Sequence, residues 1–202
     1  MSVFRKIFGS NSDKSKDKSE KEDQHKFLPV ENAPVDEAFT MNFNNNGGKF
    51  LYCETIDEVQ SNLEKIVEEN NWKDKTALIL NKRLKEKFKA FDFNTTTKSE
   101  EADFLFTTCE YLIASDGSLL ISSNQIAEKK LAELPKDFIV FATTSQFVET
   151  ISTGLQGIKA QNKKNIPSNI TTIKHFKVDE TNNFLSYGSS SKNLYLLLLE
   201  DL

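Results

Sequence analysis

Cysteine is nearly absent from this chain of 202 residues: Cys53 and Cys109 are the only two. They lie far apart and outside any C-x-x-C spacing, which excludes a disulfide framework, a thiolate zinc site and an iron–sulfur cluster. Both are expected as free, buried thiols. Histidine is as scarce, and His25 and His175 each lack a second His or Cys at ligand spacing, so no metal site is expected. The 7 glycines form no G-x-G-x-x-G or G-x-x-x-x-G-K-[ST]; Gly154 and Gly157 make only a G-x-x-G inside a helical pattern. That excludes a dinucleotide or P-loop phosphate cradle. No G-x-S-x-G and no locally marked Cys–His pair identifies a hydrolase. The apolar run nearest the N-terminus is interrupted by Arg5, Lys6 and Gly9. It serves neither as a signal-peptide core nor as a transmembrane segment, and a cytoplasmic location is expected. With 26 Lys plus Arg against 30 Asp plus Glu, the net charge of -4 offers no basic field for a phosphate backbone. Nucleic acid is therefore excluded as an expected partner. No internal repeat at a fixed period is visible.

What is present is a hydrophobic fraction of 38% with 16 Phe, enough for the core of one globular domain with a tail. Residues Ser2 to Phe8 form a short amphipathic tip in which Phe4, Ile7 and Phe8 share a helical face beside Arg5 and Lys6. No residue from Asn11 to Lys26 is apolar, so residues 1–26 are expected to be a disordered charged tail before a domain of residues 27–202. The spacing of Val35, Ala38, Phe39 and Phe43 predicts a helix that ends at Asn44-Asn45-Asn46-Gly47-Gly48. "KFLYC" reads as a strand, and Thr55 with Glu58 as a capping box opening a helix with Ile56, Val59, Leu63, Ile66 and Val67 on one face. "TALIL" predicts a strand, Leu84, Phe88 and Phe91 a helix, and "ADFLFTTC" a further strand. Asp116-Gly117 between two apolar runs predicts a hairpin. "DFIVFATT" reads as a strand, followed by a helix carrying Phe147, Val148, Ile151, Leu155 and Ile158 and capped by Thr144 or Ser145. The closing run "LYLLLLEDL" suits a strand covered on both faces, and the alternation predicts an α/β sheet with helices on each side.

Small hydroxyl and amide side chains gather at the ends of these strands, in "TTCE", "SDGS", "SSN", "TTS", "PSNITT" and "YGSSS". In an open α/β sheet, ligands bind beyond the carboxyl ends of the strands, where helix N-termini also converge. The candidate ligand-binding residues are Thr107, Thr108, Glu110, Asp116, Gly117, Ser118, Ser168, Asn169, Thr171, Gly188, Ser189 and Ser190. Glu110 is also the catalytic candidate, as the one carboxylate within these clusters apart from Asp116. A shared crevice would bring Ser118, Ser168 and Ser190 around one cavity; the competing reading is that these residues cap helices and make turns.

In their order, these segments resemble the LUD (lactate-utilisation) domain family of the LutC-like type. "YLIASDGSLLIS" matches the family's strand–turn–strand, with Asp116-Gly117-Ser118 in place of the usual Thr-Gly-Thr. Leu134-Pro135 before "FIVFA", Pro167-Ser168 with Ile173, and the closing "LYLLLLED" match three further family segments. Ile166 and Thr172 stand where the family often has Gly and Asp, and Ser190-Ser191 where it has Gly-Pro, which reads as a short stand-alone branch. The resemblance implies the α/β sandwich of the sugar-phosphate isomerase and CoA-transferase superfamily (NagB/RpiA-like), with a mostly parallel sheet and a hairpin at 111–122. It further implies cytoplasmic oxidation of lactate to pyruvate with separate iron–sulfur partner subunits. Without cluster-binding cysteines, this chain is expected to be the cluster-free accessory protein, holding no cofactor and binding a small anionic or nucleotide-like ligand. The alternatives are a CoA-transferase- or ligase-like enzyme using Glu110, or a non-catalytic assembly module working through its N-terminal tip.

Overall fold

The computed structural model describes residues 33–91, 93–176 and 192–201. The expected tail and the candidates Gly188, Ser189 and Ser190 lie outside the described residues. A first helix, α1 (Val35–Asn45), buries Ala38, Phe39 and Phe43, the stripe expected from their spacing. It leads into strand β1 (Lys49–Cys53) and then helix α2 (Ile56–Glu69). Thr55 caps α2 by accepting the Glu58 N–H at 3.2 Å. The Glu58 carboxylate reaches one residue further back than a capping box requires, to the Glu54 N–H at 2.8 Å. Strand β2 (Thr76–Leu78) and helix α3 (Lys82–Lys87) follow, the helix capped by Asn81, whose Oδ1 accepts from Arg83 and Leu84. Phe88 and Phe91 lie beyond its end, and strands β3 (Asn94–Thr96) and β4 (Phe104–Thr108) come next.

Strands β5 (Tyr111–Ile113) and β6 (Ser118–Ile121) form the expected hairpin, joined by residues 114–117. After it come a short helix α4 (Ser123–Ile126), strand β7 (Asp137–Thr143), strand β8 (Phe147–Val148), helix α5 (Ile151–Gln161), and strands β9 (Thr171–Ile173) and β10 (Asn193–Leu199). The last helix starts later than its apolar spacing suggests. Thr143 to Gln146 make a 3-10 turn closed by the Gln146 Oε1, which accepts the Thr143 N–H at 2.8 Å. Phe147 and Val148 are then drawn into parallel pairing with Leu112 and Ile113, and Thr150, not Thr144 or Ser145, caps α5. A short strand followed by a helix had counterfeited a single helical stripe.

Six strands form one parallel sheet in the order β1-β10-β7-β4-β2-β3, and the other four form a second sheet, β8-β5-β6-β9. Side chains alternate along the strands of the large sheet. Phe104, Phe106, Ile139, Phe141, Tyr195 and Leu197 face α2 and α3, meeting Val59, Leu63, Ile66, Leu84 and Phe88. Leu105, Phe138, Val140, Ala142, Leu194, Leu196 and Leu198 face the other way, onto α1 and the small sheet. The second face thus carries a helix and a sheet, where helices alone were expected. The whole is a mixed α/β sandwich with a mostly parallel central sheet. Tyr111, Ile113 and Leu120 on the far face of the small sheet are covered by α5 through Ile158. Gly157 makes that contact possible, because a Cβ there would lie 2.2 Å from the Tyr111 hydroxyl oxygen.

Candidate functional site

All six parallel strands end at one edge, which gathers the segments beyond five of them: Glu54 after β1, Asn81 beyond β2, Cys109-Glu110 after β4, Thr144-Ser145-Gln146 after β7 and Glu200-Asp201 after β10. Glu110 follows β4. Its Oε1 accepts the Ser122 hydroxyl at 2.5 Å and the Asn124 amide at 2.8 Å. Its peptide is held from both sides: its N–H donates to the Leu120 carbonyl at 2.8 Å, and its carbonyl accepts the Gln146 Nε2 at 3.1 Å. The same Gln146 amide donates to the Cys109 carbonyl at 2.7 Å. The residue after β6 and one in α4 therefore meet on one half-buried carboxylate, whose described hydrogen bonds both fall on Oε1, while β6 and the residue after the β7 turn hold the Glu110 main chain.

Two strands along, beyond β10, Asp201 takes the Thr144 hydroxyl at 2.9 Å, the Ser145 N–H at 2.8 Å and the Ser145 hydroxyl at 2.7 Å. Burial pushes the Asp201 carboxyl up, but the donors on Ser145, Thr143 and Thr144 outweigh it and hold the group below its ordinary range. The neighbouring Glu200 accepts the Tyr52 hydroxyl at 2.5 Å. Three carboxylates thus line the ends of β4 and β10. Burial, reinforced by the Glu110 charge, pushes the Cys109 thiol far above its ordinary value, so it is no nucleophile here.

The remaining candidates fall into separate places. Ser168 and Asn169 lie beside α4: the Ser123 N–H donates to the Ser168 carbonyl at 2.9 Å, the Ser168 hydroxyl to Glu128 at 2.5 Å, and the Asn169 amide to the carbonyls of Ala127 and Lys129, both at 2.9 Å. Thr171 pairs with Ile121 in the small sheet. Thr107 is buried against α4, its hydroxyl donating to the Gln125 carbonyl at 3.4 Å, while Thr108, one residue on, points to the opposite face of the strand. Asp116, Gly117 and Ser118 sit at the other end of β6 from Ser122, roughly 13 Å away at strand spacing. There the Asp116 carboxylate accepts the Ser118 N–H at 3.1 Å and its hydroxyl at 2.6 Å, and Ser118 is fully buried. Asn42 and Asn46 of the α1 end donate to the carbonyls of Ala114 and Asp116 at 2.8 and 2.7 Å. The hairpin turn is bound to α1 through the carbonyls of Ala114 and Asp116, and the Asp116 carboxylate is taken up by Ser118 and by Lys174, whose ammonium lies 3.6 Å from Oδ2. Ser118 and Ser168 do not share a cavity in this arrangement.

Ser122 and Asn124 lie in the "SSN" cluster noted at a strand end but were not among the candidates, and neither were Gln146 or Asp201. A signal existed for the first: Ser122 with Gln125 reads as a capping box, and both of its bonds form. Asp201 carried none, because its partners are 56 and 57 residues away. Among the described residues, no group of three or more His, Cys, Asp or Glu side chains is arranged to hold a metal ion. Nor is any helix long and apolar enough to cross a membrane.

A solved structure of a DUF162 family protein from Deinococcus radiodurans shares this fold, with a TM-score of 0.58 at 13% identity, covering 83% of this chain and 96% of the other. Comparison with curated proteins returns no match. The family model of the LUD domain matches residues 37–198, a span that takes in both sheets from within α1 to the end of β10. The chain belongs to the LUD domain family.

Proposed function

We propose that this protein is a LutC-like accessory protein of cytoplasmic lactate utilisation, binding a small ligand at the carboxyl edge of the large sheet while separate iron–sulfur subunits carry the electrons. The observation that carries the reading is Glu110, whose main chain is held by Leu120 and Gln146 and whose Oε1 accepts from Ser122 and Asn124, which leaves Oε2 to meet a ligand. With Glu200 and Asp201 on the same edge, a ligand bound there must bring hydrogen-bond donors. A hydroxyl, such as a 2-hydroxy acid or a ribose carries, meets that demand, with the ligand's own anionic group turned away from the three carboxylates. The electron-carrying role belongs elsewhere for a chemical reason. A cluster needs several thiolates on one site. Cys53 and Cys109 are buried on strands separated by β10 and β7, roughly 14 Å apart at sheet spacing and in cores on opposite faces.

The test is a thermal-shift screen of the purified chain with lactate, pyruvate, nucleotides and acyl-CoA compounds, repeated on Glu110→Gln. Selective binding raises the midpoint by mass action, and the variant is expected to lose the shift while melting within a few degrees of the parent. The chain alone is expected to reduce no dye with lactate, and to support dye reduction only when mixed with iron–sulfur subunits. Unaided reduction, or turnover of an acyl-CoA that depends on Glu110, would replace the accessory role with an enzymatic one.

A further inference from the structure

Helices α2 and α3 lie side by side on the face of the large sheet turned away from the small one. α2 rests on β1 and β10, while Phe88 at the end of α3 sets its ring against Phe106 of β4 and Phe141 of β7, with centroids 5.0 and 5.4 Å away. The helices are thus two strand spacings apart, about 10 Å. Both start at the carboxyl edge and run the same way, because each links two strands of a parallel sheet. Their outward faces carry opposite charge. α2 presents Asp57, Glu58, Glu64, Glu68 and Glu69 with a single cation, Lys65; α3 and the two residues after it present Lys82, Arg83, Lys85, Lys87 and Lys89 with a single acid, Glu86. All of these residues are exposed. Lys73, Lys75, Lys98 and Lys174 each lie within 3.8 Å of a carboxylate. Among the described residues no such pair forms at Lys82, Arg83 or Lys89, and none joins α2 to α3.

We propose that this face is a homodimer interface, in which α2 of each copy packs on α3 of the other. A two-fold interface must be complementary to itself. An axis lying between the two helices and parallel to them exchanges them, so the acidic helix meets the basic one twice and no like-charged helices are opposed. Since both helices start from the same edge, Asp57 and Glu64 come toward Arg83 and Lys89 of the second copy. The half-buried rings of Phe91 and Phe93, stacked with centroids 5.5 Å apart at 16°, floor a groove with Val67 between α2 and the segment after α3. That groove lies beside the axis, and pairing gives the charged contact an apolar centre. None of these residues belongs to the carboxyl-edge site, which the dimer leaves open. Exposed ion pairs are individually weak. Salt screens them, the Debye length falling from about 10 Å at 0.1 M to about 3 Å at 1 M.

Sedimentation velocity of the purified full-length chain tests this. A monomer–dimer equilibrium in the micromolar range is expected at about 0.1 M salt, weakening about tenfold or more at about 1 M. Arg83→Glu/Lys89→Glu and Asp57→Lys/Glu64→Lys are each expected to stay monomeric where the parent is dimeric, with melting temperatures within a few degrees of it. Their equimolar mixture is expected to form a heterodimer, because one variant then carries two acidic helices and the other two basic ones. Both sets in one chain should restore the homodimer. Heterodimer formation also reports that the variants are folded, and Arg83→Gln/Lys89→Gln, expected to weaken association about fivefold, carries the test if a reversed chain melts early. A parent that is monomeric at about 100 μM overturns the proposal and leaves the α3 cations to an acidic partner of another kind. A dimer untouched by the reversals, or a mixture of the two variants that stays monomeric, overturns it as well.

Discussion

Gly117 is the position where replacing one hydrogen by a methyl group is expected to cost most. Its φ of +68° is a conformation in which an L side chain costs about 1–2 kcal/mol. The added Cβ would lie 2.3 Å from the Phe43 nitrogen and 2.4 Å from the Asn42 carbonyl carbon, both main-chain atoms of α1 that cannot swing away. The turn and the helix must part, stretching the bonds from Asn42 to Ala114 and from Asn46 to Asp116, each worth about 1 kcal/mol. Restricting the unfolded chain returns about 0.4–1 kcal/mol. Gly117→Ala is therefore expected to lose about 2–4 kcal/mol, a large part of the 5–15 kcal/mol typical of a domain. In urea, with a slope of about 2 kcal/mol per M, the midpoint falls by about 1–2 M. Gly154→Ala is the matched control: its nearest contact is a Leu120 side-chain methyl at 3.0 Å, free to give, and the alanine gains about 1 kcal/mol of helix propensity. It should stay within about 1 kcal/mol of the parent. A Gly117→Ala protein that melts with the control would show that α1 does not rest on the turn.

Lys192 is 2% exposed, its ammonium donating to the carbonyls of Leu134 and Pro135 at 3.1 and 2.9 Å, and burial with the nearby Lys136 lowers its pKa from 10.5 to about 8. The unfolded chain binds this proton more tightly, so stability should rise with pH between about 8 and 10.5, by up to about 3 kcal/mol from this group. Urea midpoints across that window should show the rise in the parent, and its persistence in Lys192→Met would refute the assignment. Ala127 holds φ 52° and ψ −138°, a region almost reserved for glycine. Ala127→Gly should raise the urea-derived stability by about 1 kcal/mol, whereas a loss would show the strain is absent. Both thiols are buried and raised by desolvation. They should react with a thiol reagent only in denaturant, and rapid labelling of the native protein would contradict that.

The elements legible in the sequence were those whose signal is local. The α1 and α2 stripes, the cap at Thr55, the Asp116-Gly117 hairpin and the doubly buried β10 each follow from residues within a few positions of one another. β8 was not legible, because Phe147 and Val148 owe their conformation to pairing with Leu112 and Ile113 across the small sheet. The same division runs through the site. Glu110 stood out as a strand-end carboxylate, yet Asp116 and Ser118, of equally suggestive chemistry, point their side chains at each other, with Lys174 beside the Asp116 carboxylate. Composition at a strand end does not say which end of the strand faces the crevice; that depends on β6 running antiparallel to β5.

The place of β10 has a consequence for how the domain is made. It is the last described strand in the chain, yet it lies between β1 and β7, pairing Lys49 with Tyr195 and Asp137 with Asn193. While a ribosome is still extending the chain, β1 has no neighbour in the sheet, and Phe138, Val140 and Phe141 of β7 lack their partner strand on one side. Closure waits for the arrival of residues 193–199 and is then dominated by contacts distant in sequence, which form slowly. Until then the nascent domain carries an unfilled slot flanked by two apolar strands, a surface a chaperone would recognise or a stray strand would enter.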